Sequence, residues 1–276
     1  MSTDLPARPR LRQDLRIAVL LAGFCALATV AVIPYLLQVD PARMAAVGRM
    51  PLSALVAIQA MTMFIVCTLL AWGGLRMGHR IGLGAPLLQH WVNRHRDAGL
   101  RDVAPWQALA AGVASAVAIL VLSRVLDPLL LPDTQVPMTD IAGARNALYG
   151  VLASFYGGIV EELQLRLFLM TLIAWLATWL LRRRAGFDGT LSPRVAWVAI
   201  LIAALLFGVG HLPTAATVWG LDAGVVVRTV LLNGIGGVVF GWLFWKRGFE
   251  MAVLSHFAAD LVLHALVPLL LPQGML

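Results

Sequence analysis

Three polar islands break an otherwise hydrophobic chain, and each holds residue types that move protons. They are Val160-Glu161-Glu162-Leu163-Gln164-Leu165-Arg166-Leu167, then Phe207-Gly208-Val209-Gly210-His211, then His256-Phe257-Ala258-Ala259-Asp260. Charges at membrane depth are costly and normally face the bundle interior, so the default reading is a functional site with internal partners. On a helix, Glu162 and Arg166 stand one turn apart with Glu on the N-terminal side, the orientation that favours an ion pair. Glu161 is rotated away by one residue, escapes that pair and is left to act on a water as general base. A purely structural ion triad would account for Glu162 and Arg166 but leaves the second carboxylate idle. His256 and Asp260 share one helix face by the same spacing. His211, taken alone, reads as a helix-end histidine.

Together these groups allow two chemistries. They could coordinate a metal such as zinc, for which imidazole and carboxylate are ordinary ligands. They could instead activate a water without metal, one carboxylate serving as base while the histidines polarise a carbonyl and hold the oxyanion. Neither HExxH nor a Cys/His knuckle is present, so the metal-free scheme, with no cofactor, is favoured over zinc. A Ser or Cys nucleophile has no support: Ser154 and Ser255 lack a nucleophile elbow, and Cys25 and Cys67 lie in other helices, where they read as buried filler rather than a disulfide.

The elements that position these islands follow from composition. Of 276 residues, 60% are hydrophobic and 13% charged, and mean hydropathy is +0.85. Soluble domains run at about 25% charged, so this is a polytopic membrane protein. The net charge of +7 does not signal nucleic acid, because the basic residues fall between apolar runs, where the positive-inside rule places them. Spans of about 20 apolar residues are predicted over Ile17–Leu37, Leu52–Trp72, Trp106–Leu122, Ala147–Leu181, Val195–Val209, Val225–Trp245 and Met251–Leu271. The fold class is therefore all-α, a transmembrane bundle of seven helices, or eight if Ala147–Leu181 is a hairpin instead of one strongly tilted or bent helix. The chain reads as one membrane domain over 1–276, with a catalytic core over 145–270 and a basic polar loop over 76–104 that contains an interfacial helix. The apolar run after Arg8, Arg10, Arg12 and Arg16 is too long for an ordinary signal peptide and reads as an uncleaved anchor. The N-terminus is expected in the cytoplasm, the location a bacterial cytoplasmic membrane, and Asp127–Asp140 on the opposite side.

The three islands resemble the motifs of the CPBP family, the CAAX prenyl proteases and bacteriocin-processing enzymes also called Abi proteins. That pattern is Glu-Glu-x-x-x-Arg, Phe-x-x-x-His and His-x-x-x-Asn or Asp, in this order on separate helices, and it covers Tyr149 to His264 here. The resemblance implies an α-helical intramembrane glutamate endopeptidase. By carry-over, Glu161 activates the water, Glu162 and Arg166 support it, and His211 and His256 bind and polarise the peptide carbonyl. The last position commonly holds Asn to stabilise the oxyanion. Asp260 stands there instead, so it must be protonated, orient His256 or bind a metal, and the substitution weakens the inference to a prenylated substrate.

The expected partners are a peptide or membrane-protein substrate, lipidated or not, and the bilayer itself. A non-catalytic scaffold or bacteriocin-immunity protein of the same fold is the alternative function. A small-solute transporter ranks last because no internal repeat is visible. Remaining polar residues get plain readings. His79, His90 and His95 are expected to be solvated or near headgroups, His264 to pack between helices, though it could approach the site, and Asn233 to hydrogen-bond across helices, with substrate contact second. Gly237 and Gly241 are expected to allow close helix approach.

Overall fold

A computed structural model describes residues 9–39, 50–95, 100–131, 143–182 and 191–270. Among them there are helices and no strands, as expected of a backbone that must satisfy its own hydrogen bonds in lipid. We number the helices α1 (Leu11–Ala31), α2 (Ile33–Val39), α3 (Leu52–Gly78), α4 (Pro86–Asn93), α5 (Pro105–Leu130), α6 (Gly143–Leu181), α7 (Pro193–Gly210), α8 (Leu212–Trp219), α9 (Ala223–Arg247) and α10 (Phe249–Leu270). Among the described residues, seven elements are long and apolar enough to cross a membrane: α1, α3, α5, α6, α7 with α8, α9 and α10. The chain is a multi-pass integral membrane protein.

Helix starts are written locally. Proline occupies the first turn of α4, α5, α7 and α8, where its missing N–H costs nothing. The Asp222 carboxylate accepts from Val225 N at 2.8 Å to begin α9. Gly248, at φ +89°, ends α9 and turns directly into α10.

The long run is one helix and not a hairpin. α6 is 39 residues; at about 1.5 Å per residue it would reach roughly 58 Å, nearly twice a ~30 Å hydrocarbon core. It is not uniform: Tyr156–Glu161 and Leu163–Met170 are wound as wider π turns, and Leu261–Leu266 of α10 is wound likewise. Such turns are rare and gather at functional sites. The first part of α6 lies along α10, while its later part packs on α3 and α7. Gly143, Gly150 and Gly157, seven apart, face Pro268, His264 and Asp260 in turn, so the two helices run antiparallel in close contact. α9 packs on α7 through Gly237 and Gly241, set against Ala204 and Ile200, as the small-residue spacing anticipated.

Two plain readings are corrected. His79 is not solvated. It closes on the fully buried Asp14 at 2.9 Å, beside Arg76 at 2.9 Å and Gln89 at 3.1 Å, and so ties α1, α3 and α4 together. A buried carboxylate needs such partners, and Asp14 gave no signal in sequence because its partners are distant. Asn233 donates to Thr229 O of its own helix at 2.8 Å rather than across to a neighbour; amides one turn from a carbonyl readily do this. The Arg182–Arg194 cluster and the Asp127–Asp140 loop fall largely outside the described residues.

Candidate active site

The Glu162–Arg166 pair forms as the spacing predicts, with Arg166 Nη1 2.8 Å from Glu162 Oε1 and both side chains sealed from solvent. Arg166 Nη2 also donates to Gly237 O at 3.3 Å, and its guanidinium lies 4.8 Å from the Phe207 ring and 5.5 Å from the Phe240 ring. Two aromatic faces thus help stabilise a cation removed from water. The same Glu162 Oε1 takes a second partner, His256 Nδ1, at 2.7 Å. A carboxylate accepts only, so this contact fixes a proton on Nδ1 of His256.

Nε2 of His256 therefore faces the remaining acidic groups, Asp260 Oδ1 at 3.5 Å and Glu161 Oε2 at 3.9 Å. Its ring is stacked on Phe240 at 4.4 Å and meets Phe207 edge-on at 5.6 Å. Glu161 is the more open of the two glutamates, 23% exposed against none for Glu162. The one-residue rotation has separated a sealed ion-paired carboxylate from one with access.

His211 sits at the end of α7, its ring 4.7 Å from Phe207. Its Nδ1 donates to the Phe207 carbonyl at 2.8 Å, which leaves Nε2 as the outward nitrogen. Phe207 thus bridges the two histidines, in contact with His211 on one side and His256 on the other. The six sequence candidates Glu161, Glu162, Arg166, His211, His256 and Asp260 are brought together around Phe207, Phe240 and the bare Cα of Gly157. Among the described residues, no three His, Cys, Asp or Glu side chains are grouped to hold a metal ion.

Two contributors were missed and a third was ranked too low. Gly157 abuts the site so closely that a Cβ there would collide with Asp260 Oδ2 and lie 3.2 Å from His256 Nε2. His264, expected first to pack between helices and only second to approach the site, places Nε2 4.0 Å from Asp260 Oδ1. Tyr35 of α2 then reaches His264 Nδ1 with its hydroxyl at 3.3 Å. Only the position of His264, two turns beyond His256, offered a signal.

With this geometry in view, one comparison bears on the family. Residues 143–262 match the family described as Type II CAAX prenyl endopeptidase Rce1-like. The match spans less than half of the chain, and over that span the chain is similar to the family. The Rce1-like segment runs from the start of α6 into the π turn of α10 and contains every candidate catalytic residue. It excludes Tyr35 and His264. No curated protein and no solved structure matches the chain.

Proposed function

We propose that this protein hydrolyses a peptide bond within the membrane, with Glu161 activating the water. The family match over 143–262 supports a CAAX-protease-like intramembrane endopeptidase in general. The observation that carries the specific reading is that one imidazole meets all three acidic side chains, Glu162 through Nδ1 and both Glu161 and Asp260 through Nε2. Such convergence is what a water-activating site needs and more than a packing triad requires.

In this scheme Glu161 takes a proton from water as the water oxygen bonds to the scissile carbonyl carbon. The carbonyl electron pair moves onto oxygen, and the oxyanion is held by donors aimed at it. His211 Nε2, when protonated, and a protonated Asp260 supply those donors. When Asp260 carries a proton, Arg166 and a cationic His256 match Glu161 and Glu162, and a proton on His211 Nε2 adds the one positive charge that faces the oxyanion. The proton on Glu161 passes to the departing amine as the C–N bond breaks. Glu162 and Arg166 do not touch substrate; they hold His256 in register.

We take the reaction to be metal-free, since among the described residues no three His, Cys, Asp or Glu side chains are grouped to hold an ion, although the free Nε2 atoms of His211 and His256 are the kind that could ligate one. The substrate class suggested by the family is a peptide ending in a prenylated cysteine motif. A farnesylated, internally quenched CAAX peptide presented in detergent micelles tests this directly, with Glu161→Gln as control. Cleavage by the wild type and none by Glu161→Gln is expected. Equal behaviour of the two proteins, both here and in proteomic comparison of membranes from the two strains, would establish a non-catalytic scaffold instead.

A further inference from the structure

Asp260 is held by more than the motif that contains it. Its Oδ1 faces two imidazoles, His256 Nε2 at 3.5 Å and His264 Nε2 at 4.0 Å, the second just beyond direct hydrogen-bond reach, while Oδ2 lies over Gly157, where no side chain intervenes. His264 is itself oriented by Tyr35, whose hydroxyl lies 3.3 Å from Nδ1 and whose ring meets the imidazole edge-on at 5.6 Å. A phenol donates readily to an imidazole lone pair, and a neutral histidine whose Nδ1 accepts carries its proton on Nε2. That proton faces Asp260. The polar groups accordingly form a line from Tyr35 through His264, Asp260 and His256 to Glu162 and Arg166, drawn from α2, α10 and α6.

From this arrangement we infer that Tyr35 and His264 are positioning residues for the hydrolysis. They keep Asp260 Oδ1 an acceptor and so reserve Oδ2 as the oxygen that carries the proton given to the oxyanion. The inference rests on the endopeptidase reading and deepens it. It makes the N-terminal helices, which lie outside the Rce1-like segment, part of the working site. It also gives the acid at position 260 a reason to be tolerated where an amide would donate unaided. Tyr35→Phe removes the hydroxyl and leaves the ring. Without it the His264 tautomer is free to invert, and a bare Nε2 lone pair would compete for the Asp260 proton. The charged and titratable groups around His264 are Asp260 and His256 on its own helix, Tyr35 on α2, Glu161 and Glu162 on α6, and His211 on α7.

The test is a double-mutant cycle on the full chain in micelles with the farnesylated CAAX peptide. Tyr35→Phe and His264→Gln are each expected to lower kcat about tenfold, the order of loss when a partner that orients a working histidine is removed. KM should change little, and the pH–rate profile should move. Asp260→Asn carries a permanent N–H donor, so adding Tyr35→Phe to it should cause no further loss. If Tyr35→Phe lowers kcat equally in the wild-type and Asp260→Asn backgrounds, or leaves both rate and pH profile unmoved, the inference is overturned, since a packing role would not depend on residue 260. If wild type and Glu161→Gln are indistinguishable, the endopeptidase reading itself has failed, a result that does not resemble either of those.

Discussion

At the scale of the residue, the two adjacent glutamates divide labour by burial. Glu161→Gln keeps shape and removes the proposed base, so the protein should remain folded in micelles while peptide cleavage is lost. Arg166→Ala acts differently. It takes from Glu162 one of the two partners it meets in Arg166 and His256, and breaking a buried ion pair costs about 3–5 kcal/mol in soluble precedents. Its signature should be a lowered midpoint of thermal unfolding, read before any activity assay. Asp260→Asn should retain substantial cleavage with an altered pH profile, and chelator should leave the wild type unaffected. Stoichiometric zinc in the purified protein, with loss of activity on chelation and recovery on its return, would overturn the metal-free scheme. All six motif residues were legible in the sequence because an ionisable group in an apolar run demands an internal partner. Tyr35 was not, since a lone tyrosine in an apolar stretch reads as an interface anchor and its partner lies 229 positions away.

At the scale of the element, glycine controls how closely α6 and α10 approach. Seven helical spans could be read from hydropathy, and the approach of α9 to α7 from Gly237 and Gly241. The Gly143, Gly150 and Gly157 stripe escaped notice because glycine carries no chemistry of its own and the heptad step is diluted among other small residues. Its members are not equivalent. A Cβ on Gly157 meets the Asp260 carboxylate and the His256 imidazole, whereas a Cβ on Gly150 collides with the His264 backbone carbonyl. Gly157→Ala is therefore expected to fold and lose roughly a hundredfold in kcat/KM, the scale of a 1 Å misplacement at a reacting centre. Gly150→Ala should instead destabilise the bundle by about 1–3 kcal/mol, the usual cost of overpacking. Circular dichroism melts alongside peptide cleavage separate the two outcomes. Whether Ala147–Leu181 was one helix or two could not be read from residue types, because hydropathy reports how much apolar chain is present and not where it turns.

At the scale of the whole molecule, the N-terminal helices are bound to the rest of the bundle at two levels. Near one end, Asp14 gathers Arg76, His79 and Gln89; further along, Tyr35 reaches His264. Asp14→Ala leaves the candidate site untouched but removes the anion that joins three helices. We expect it to lower the thermal midpoint by several degrees, given about 2–4 °C per kcal/mol for a chain of somewhat smaller size, with kcat of the surviving folded fraction preserved. The winding of α6 has an effect of another kind. A π turn holds one residue more than the α turn it replaces, and each residue advances an α-helix by about 100°. Deleting a single apolar residue between Tyr156 and Val160 would change no charge, yet it would swing Glu161 and Glu162 away from the face that Gly150 presents to α10. The site is consequently set by an indel as much as by substitutions. A chain one residue shorter here, threaded onto this helix without a gap, would have the wrong glutamate paired with the wrong partner.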